Sequence, residues 1–354
     1  MAEALTIKDE IARLEASLVP VEETLLSLAL AIPNDTHPSS PLGPESAAVQ
    51  LSIHGPPPIP ADPARDHVAI ARQLGLIDME SGAIVTGSSW YYLTNEGALL
   101  EMALVNYALS VALRHGFTPV VTPDVVRSEV ARGCGFQPRD TDADPPVSQA
   151  YHIADTNQDL VLYRPAAKVV GVGHAFRAEA GARGKDTHGL YRVHQFTKVE
   201  LFAVTTQEQS EQMMEDMASI QTSILSGLGL PFRILDMPTE ELGASAYRKY
   251  DMEAWMPGRG SWGEVSSLSN CTDFQSRRLH IRYRRNVAQP QNLSPTTLAH
   301  TLNGTAAAIP RLIIALLENG AIFDAEGKLT GIALPDVLRP FWLGSNDRGI
   351  IHWH

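Results

Sequence analysis

Three stretches of the sequence set reactive side chains at spacings a ligand could use. Read at the two-residue period of a strand, residues 169–179 place Gly171, Gly173, Ala175, Arg177 and Glu179 on one face. Small residues leave room for something flat. Arg177 then offers a planar fork for phosphate or carboxylate, and Glu179 an acceptor for an amine or hydroxyl. The next stretch, GLYRVHQFTKVELFAV over 189–204, alternates in the same way. One row is mostly apolar: Tyr191, Val193, Gln195, Thr197, Val199, Leu201 and Ala203. The other carries Arg192, His194, Phe196, Lys198, Glu200 and Phe202. If the two stretches form a hairpin, Glu200, Lys198 and His194 join Arg177 over one pocket for a polyanion with a polar organic part. The same alternation also suits a solvated face with surface ion pairs.

Glu264, Val265, Ser266 and Ser267 form the second constellation. A carboxylate three residues before a hydroxyl can share a divalent cation, and Mg²⁺ favours one or two carboxylates plus phosphate oxygens. Alternating Glu and Ser is equally common on solvated strands. The third is LNGTAAAIPR, residues 302–311, leading into an apolar helix. Small residues at a helix start let a ligand approach the backbone, and the positive helix end suits an anion. Arg311, inside that apolar helix, needs a partner, and a phosphate is the economical one. A basic cluster, Arg277, Arg278, His280, Arg282, Arg284 and Arg285, reads as a solvated surface or an RNA contact. There is no GxSxG, no P-loop and no compelling Cys/His pair.

These residues need elements to hold them. WYYLT (90–94), residues 169–179 and 190–204, FRILDM, KYDMEAWMP and WGEVSSLSN read as strands, and TPVVTPDVVR as a strand followed by a turn. HVAIARQLGLID, the long apolar GALLEMALVNYALSVALRHGF ending at Gly116, residues 207–226 and AAAIPRLIIALLENG read as helices. Met213, Met214 and Met217 suit core packing. Residues 137–149 read as loop. Strands punctuated by long helices without βαβ regularity predict an α+β fold on an antiparallel sheet. Ahead of this domain, which is expected to span 66–354, residues 34–65 are rich in Pro and Ser and predict a linker with little regular structure. Residues 1–33 predict a single helix. Ile7, Ile11, Leu14, Leu18, Val21, Leu25 and Leu28 form a heptad seam, with Pro20 expected to kink it. A lone seam leaves an apolar stripe uncovered.

Composition narrows the classes. The 354 residues are 44% hydrophobic and 19% charged, as in an ordinary globular protein with a sizeable core. A net charge of −12 argues against a general nucleic-acid-coating protein, though not against a local basic patch. Cys134 and Cys271 are far apart and outside any CxxC spacing, so no zinc site is expected and a reducing compartment is. No apolar run approaches the length of a membrane span, so no membrane partner is expected. MAEALTIKDE lacks the Arg/Ser-rich character of a transit peptide. An intracellular protein of the cytoplasm or mitochondrial matrix is expected.

FRAEAGARGKDTHGLYRVHQFTKVELF, GASAYRKYDMEAWMPGRGSWGEVSSLSNCTDFQSRR and LNGTAAAIPRLIIALLENG together resemble three separate stretches of the seryl-tRNA synthetases, and the resemblance covers most of 66–342. It implies a class II aminoacyl-tRNA synthetase sheet, a homodimer, and a ligase reaction: ATP and serine give seryl-adenylate, and the seryl group passes to tRNA(Ser). By the resemblance, Arg177, Ala178, Glu179, Val193, Glu264, Val265, Ser266, Ser267 and Arg311 contact ATP. Arg177 and Arg311 stabilise the reacting phosphates, and Glu264 and Ser267 hold Mg²⁺. Arg177, Glu200, Asn303 and Thr305 line the serine pocket. Residues 5–32 look like only the second helix of the family's tRNA-gripping arm. The family's Thr-x-Glu segment, which receives the serine amino group, is absent between positions 162 and 168. Two alternatives follow from these departures: a synthetase-like enzyme serving a non-tRNA acceptor, and a non-catalytic regulator that binds nucleotide or RNA.

Overall fold

The computed structural model describes residues 2–136, 168–177, 188–284 and 296–354. Ala178, Glu179, the 137–149 loop and the junction between 162 and 168 fall outside them. In chain order the elements are α1 (Ala2–Ala31), β1 (Val49–His54), α2 (His67–Leu74), β2 (Ile77–Asp78), α3 (Met79–Thr86), β3 (Tyr92–Leu93), α4 (Glu96–Arg114), β4 (Thr118–Val121), α5 (Ser128–Gly133), β5 (Lys168–Phe176) and β6 (Gln195–Thr205). Then come α6 (Ser210–Gly227), β7 (Phe232–Asp236), β8 (Arg248–Met256), β9 (Ser261–Asn270), α7 (Phe274–Leu279), β10 (Arg282–Arg284), β11 (Thr296–Leu298), β12 (His300–Ala308), α8 (Ile309–Gly320), β13 (Ala321–Phe323), β14 (Leu329–Leu334) and β15 (Ile351–Trp353).

Eight strands form the main sheet in the order β1-β7-β8-β9-β12-β6-β5-β4, antiparallel except for the β4–β5 pair. From Gln195 onward β6 alternates as its sequence predicts. Thr197, Val199, Leu201, Ala203 and Thr205 are buried, while Phe196, Lys198, Glu200 and Phe202 are only partly covered. The buried row faces helices: Thr197 Oγ1 donates to Glu101 Oε1 of α4 at 2.6 Å. Gln221 of α6 donates to the Ser266 hydroxyl and the Thr305 carbonyl. Gly304 permits that packing, since a Cβ there would sit 3.0 Å from both Gln221 Nε2 and Leu268 Cδ1. The charged row of β6 is left to look the other way.

Three elements depart from expectation. Residues 34–65 hold a strand rather than remaining irregular: β1 pairs with β7 along the sheet edge. VQLSIH alternates apolar and polar residues, but its apolar row stays near half exposed, and the surrounding prolines obscure the signal. Residues 303–308, expected at a helix start, lie on β12, and α8 begins only at Ile309 with Pro310 in its first turn, where its missing N–H costs nothing. α4 is long and apolar enough to cross a membrane, contrary to the sequence expectation. Half of it is buried in this fold, with Leu100, Leu104, Tyr107 and Val111 in the core.

α1 is one continuous helix through Pro20. Its seam is uncovered: the seven residues from Ile7 to Leu28 are 50–66% exposed. Its end is tied down. Arg278 Nη2 donates to the Leu30 and Ile32 carbonyls at 2.8 and 3.0 Å, and its guanidinium lies 3.4 Å from the centre of the Phe274 ring. Thus one member of the basic cluster satisfies carbonyls at a helix end. Arg277 pairs with Asp273.

Candidate functional site

β5 and β6 pair with Gly171 opposite Glu200 and Gly173 opposite Lys198. Directly opposed residues share a face, so the small residues of one strand floor the space beneath the charged residues of the other. At the open end, Arg177 N–H donates to the His194 carbonyl at 2.8 Å, and His194 Nδ1 donates back to the Arg177 carbonyl at 2.8 Å. His194 is thereby spent on holding the arginine's backbone, and its ring stacks on Trp90. The Arg177 guanidinium lies 5.2 Å from the centre of the Phe196 ring.

β9 brings the second constellation to the same place through a bulge. Met252 of β8 opposes Ser266, but the next residue, Glu253, opposes Glu264, so Val265 is the extra residue. Without the bulge, residues 264 and 267 would lie on opposite faces of the sheet. With it, both line one cavity, and Val265 and Ser266 turn into the core at 1% and 2% exposure. Ser266 Oγ donates to the Thr305 carbonyl, so its hydroxyl is committed behind the site.

α8 supplies the third part. Arg311 Nη1 donates to the Glu264 carbonyl at 2.8 Å and to Glu264 Oε2 at 3.1 Å, and Nε donates to the Tyr191 carbonyl at 3.3 Å. Burial works against a charge on Glu264. Arg311 first, then Lys249 and Arg177, outweigh it and hold the carboxyl below the ordinary glutamate range. On the neighbouring strand, burial pushes Asp251 up to about 7 against the pull of Lys249, whose ammonium sits 2.8 Å from it.

The resulting cavity is open to solvent, with about 510 Å³ of empty space counting its mouth. Arg177, Val193, Glu264, Val265, Ser266, Ser267, Thr305 and Arg311 all line it. Glu200 and Asn303 stand one step away. Glu200 faces a neighbouring cavity of about 850 Å³, and Lys198 lines both. Glu200 accepts from Thr305 Oγ1 at 3.1 Å, from Asn303 Nδ2 at 3.4 Å and from Lys198 Nζ at 2.8 Å. That arrangement is a small polar nest beside an arginine-rich, carboxylate-bearing pocket. It can hold an extended polyanion at one end and a hydroxyl-bearing cation at the other.

The sequence reading misses several lining residues. Phe196 carries a signal, an aromatic ring in an otherwise charged row. Tyr191 carries a misleading one. Two-residue alternation assigns it to the core row, but β6 starts only at Gln195, and Tyr191 lines the cavity. The guanidiniums of Arg259 and Arg311 lie 3.8 and 4.5 Å from its ring centre.

The family model for the class II tRNA synthetase core domain (G, H, P, S and T) matches residues 146–320. The serine–tRNA ligase of Rubrobacter xylanophilus is 43% identical over 96% of this chain and 80% of its own length. The mitochondrial serine–tRNA ligase of Saccharomyces cerevisiae is 43% identical over 92% of this chain and 74% of its own. The crystal structure of seryl-tRNA synthetase from Pyrococcus horikoshii complexed with ATP superposes with a TM-score of 0.83 at 32% identity, covering 96% of this chain and 81% of that one.

Proposed function

The chain belongs to the serine–tRNA ligase family, and from that premise we propose how its residues carry the reaction. The first cavity binds ATP. Serine lies beside Glu200, which reads its hydroxyl with Asn303 and Thr305. The serine carboxylate attacks the α-phosphorus, a phosphorus–oxygen bond forms, and pyrophosphate leaves with the electrons of the bond that breaks. A terminal ribose hydroxyl of tRNA(Ser) then attacks the seryl carbonyl carbon; an ester bond forms, the hydroxyl proton is released and AMP leaves with the electrons of the bond that breaks.

Arg177 holds the α-phosphate and meets the charge that builds there in the transition state. Arg311, fixed by Glu264 and stacked on Tyr191, holds the far end of the triphosphate. No side chain acts as nucleophile, and positioning and electrostatics carry the step. Glu264 and Ser267 are the residues that would hold Mg²⁺. The donor set fits: an ionised carboxylate and a hydroxyl on one face of a bulged strand, beside the phosphate-binding arginines. When bound, the metal neutralises phosphate charge. Ala178 and Glu179 are further ATP contacts on this reading. The active form is a homodimer working in the cytoplasm or mitochondrial matrix.

One observation carries the proposal. Arg177, Glu264 and Arg311, from three separate stretches of sequence, line one cavity next to the Glu200 nest. The test is ATP–pyrophosphate exchange in the purified full-length chain. Exchange that depends on serine is expected. Because the Thr-x-Glu segment is missing, the serine requirement should be raised about 10–150-fold over a relative that has it, the worth of one charged hydrogen bond. No exchange at saturating serine and Mg-ATP supports the non-catalytic alternative, and exchange without charging of tRNA(Ser) supports another acceptor.

A further inference from the structure

Behind the nucleotide cavity lies a second one, lined by Asp66, His67, His188, Tyr191, Arg259 and Glu318 among others. Tyr191 is the wall between the two. Glu318 is completely buried, and both its oxygens are spent. Oε1 lies 3.0 Å from His67 Nδ1, and Oε2 accepts from the Arg259 backbone N–H at 3.0 Å. His67 Nε2 accepts from the Leu190 N–H at 3.2 Å, so the proton of the ring sits on Nδ1 and points at Glu318. One carboxylate and one imidazole thus join four distant segments: the start of α2, residues 188–191, the β8–β9 turn and the C-terminal half of α8.

Both tethered segments end at Tyr191. Leu190 is its chain neighbour, and Arg259 stacks its guanidinium on the ring. α8 contributes twice from the same face, since Arg311 and Glu318 are seven residues, or about two turns, apart. Glycines allow the close approach. A Cβ on Gly189, at φ 61°, would lie 2.1 Å from His67 Nε2, and one on Gly258 would lie 2.4 Å from the Arg65 carbonyl. A buried carboxylate is a poor way to gain stability, because apolar residues of similar volume do as well; what it adds is a defined geometry. The Asp66, His67 and Glu318 donor atoms lie within 4.8 Å of one another, a spacing a cation could bridge. Yet His67 has no free lone pair in this arrangement and Glu318 already has two donors, so a hydrogen-bonded clamp is the better account.

We propose that the His67–Glu318 pair is a positioning pair for the nucleotide pocket: by fixing the Leu190 and Arg259 backbones it holds Tyr191, Arg259 and Arg311 as a preformed wall for ATP. This rests on the reading of the first cavity as the nucleotide site. Neither residue touches substrate, and neither contacts the Glu200 nest, so the effect falls on ATP and not on serine.

The test is serine-dependent ATP–pyrophosphate exchange by the full-length chain. Glu318→Gln keeps the volume but replaces one acceptor by a donor, facing either the His67 Nδ1–H or the Arg259 N–H. It should raise the KM for ATP at least about tenfold, the worth of one hydrogen bond to a carboxylate, with the serine KM within about twofold. Arg259→Ala should do the same, and the double variant should be little worse than Arg259→Ala alone. A folded Glu318→Gln protein with unchanged ATP KM, or with serine and ATP KM raised equally, overturns the proposal. Should Glu318→Gln fail to fold, Arg259→Ala and Tyr191→Leu decide: if neither raises the ATP KM, the wall has no role and the proposal falls. Failure of the functional reading looks different, as absence of exchange in the unmodified chain. Calorimetry with a non-hydrolysable ATP analogue then reads the same variants, and unchanged affinity in all of them overturns the clamp.

Discussion

α1 and α8 both carry apolar residues at helical spacing, and of the two α8 alone buries them. In α8 nine of the twelve residues are buried, and the two charged side chains it brings inward, Arg311 and Glu318, are both paired, by β9 in one case and by α2 and the β8–β9 turn in the other. In α1 every seam residue from Ile7 to Leu28 is at least half exposed, while Arg278 holds the carbonyls at its end. Spacing alone therefore tells which face of a helix is apolar and not what covers it. The inward charges make the difference at α8. An arginine and a glutamate inside an apolar helix cost too much to bury without partners, and finding those partners leads directly to the cavity.

The sharpest way to break the comparison is at the arginines. Arg177 is exposed at the cavity mouth, so its loss should spare the fold while removing charge where it is needed. Arg177→Ala is expected to lower serine-dependent exchange by at least about 10²–10³-fold, the range for one lost transition-state donor, with no change in melting temperature. Exchange left intact would remove Arg177 from the site.

Glu200 sharpens the division within the site. Its carboxylate gathers Thr305, Asn303 and Lys198 and faces the neighbouring cavity, which Arg311 does not line. Glu200→Gln should raise the serine KM by about 10–150-fold through loss of charged hydrogen bonds, while the ATP KM stays near its original value. A rise in the ATP KM of equal size would merge the two sub-sites into one.

Sequence pattern reached much of the sheet and, with the resemblance, many of the residues that line the candidate cavity, for physical reasons that also mark where it stopped. Val199, Leu201 and Ala203 could be assigned to the core because alternation is a property of any half-buried strand, and β6 keeps it from Gln195 onward. Tyr191 could not, because alternation carries no information before the strand begins. The bulge at Val265 was equally hidden: it is a two-against-one pairing with β8 that no single strand encodes, and it alone lets Glu264 and Ser267 share a face. Asn303 and Thr305 came from the family resemblance and not from a strand pattern, and they sit on β12 opposite Phe202 and Glu200. His67 and Glu318 are 251 residues apart, and nothing local in either segment announces the pair.

The smallest expected effect bears on the other member of the comparison. Leu18 sits mid-seam on α1 at 51% exposure, with no described part of the chain over it. If the seam is uncovered in the free protein, Leu18→Ala removes little buried surface and should change stability by no more than about 0.5 kcal/mol, with exchange unaffected. Leu312→Ala, at 0% exposure on α8, is the matched control and should cost about 2–5 kcal/mol. Urea unfolding of the two variants measures both. A Leu18→Ala loss approaching that of Leu312→Ala, and growing with protein concentration, would show that the seam is buried against another copy in solution. α1 would then be half of an interface, and its exposure here a property of the isolated chain.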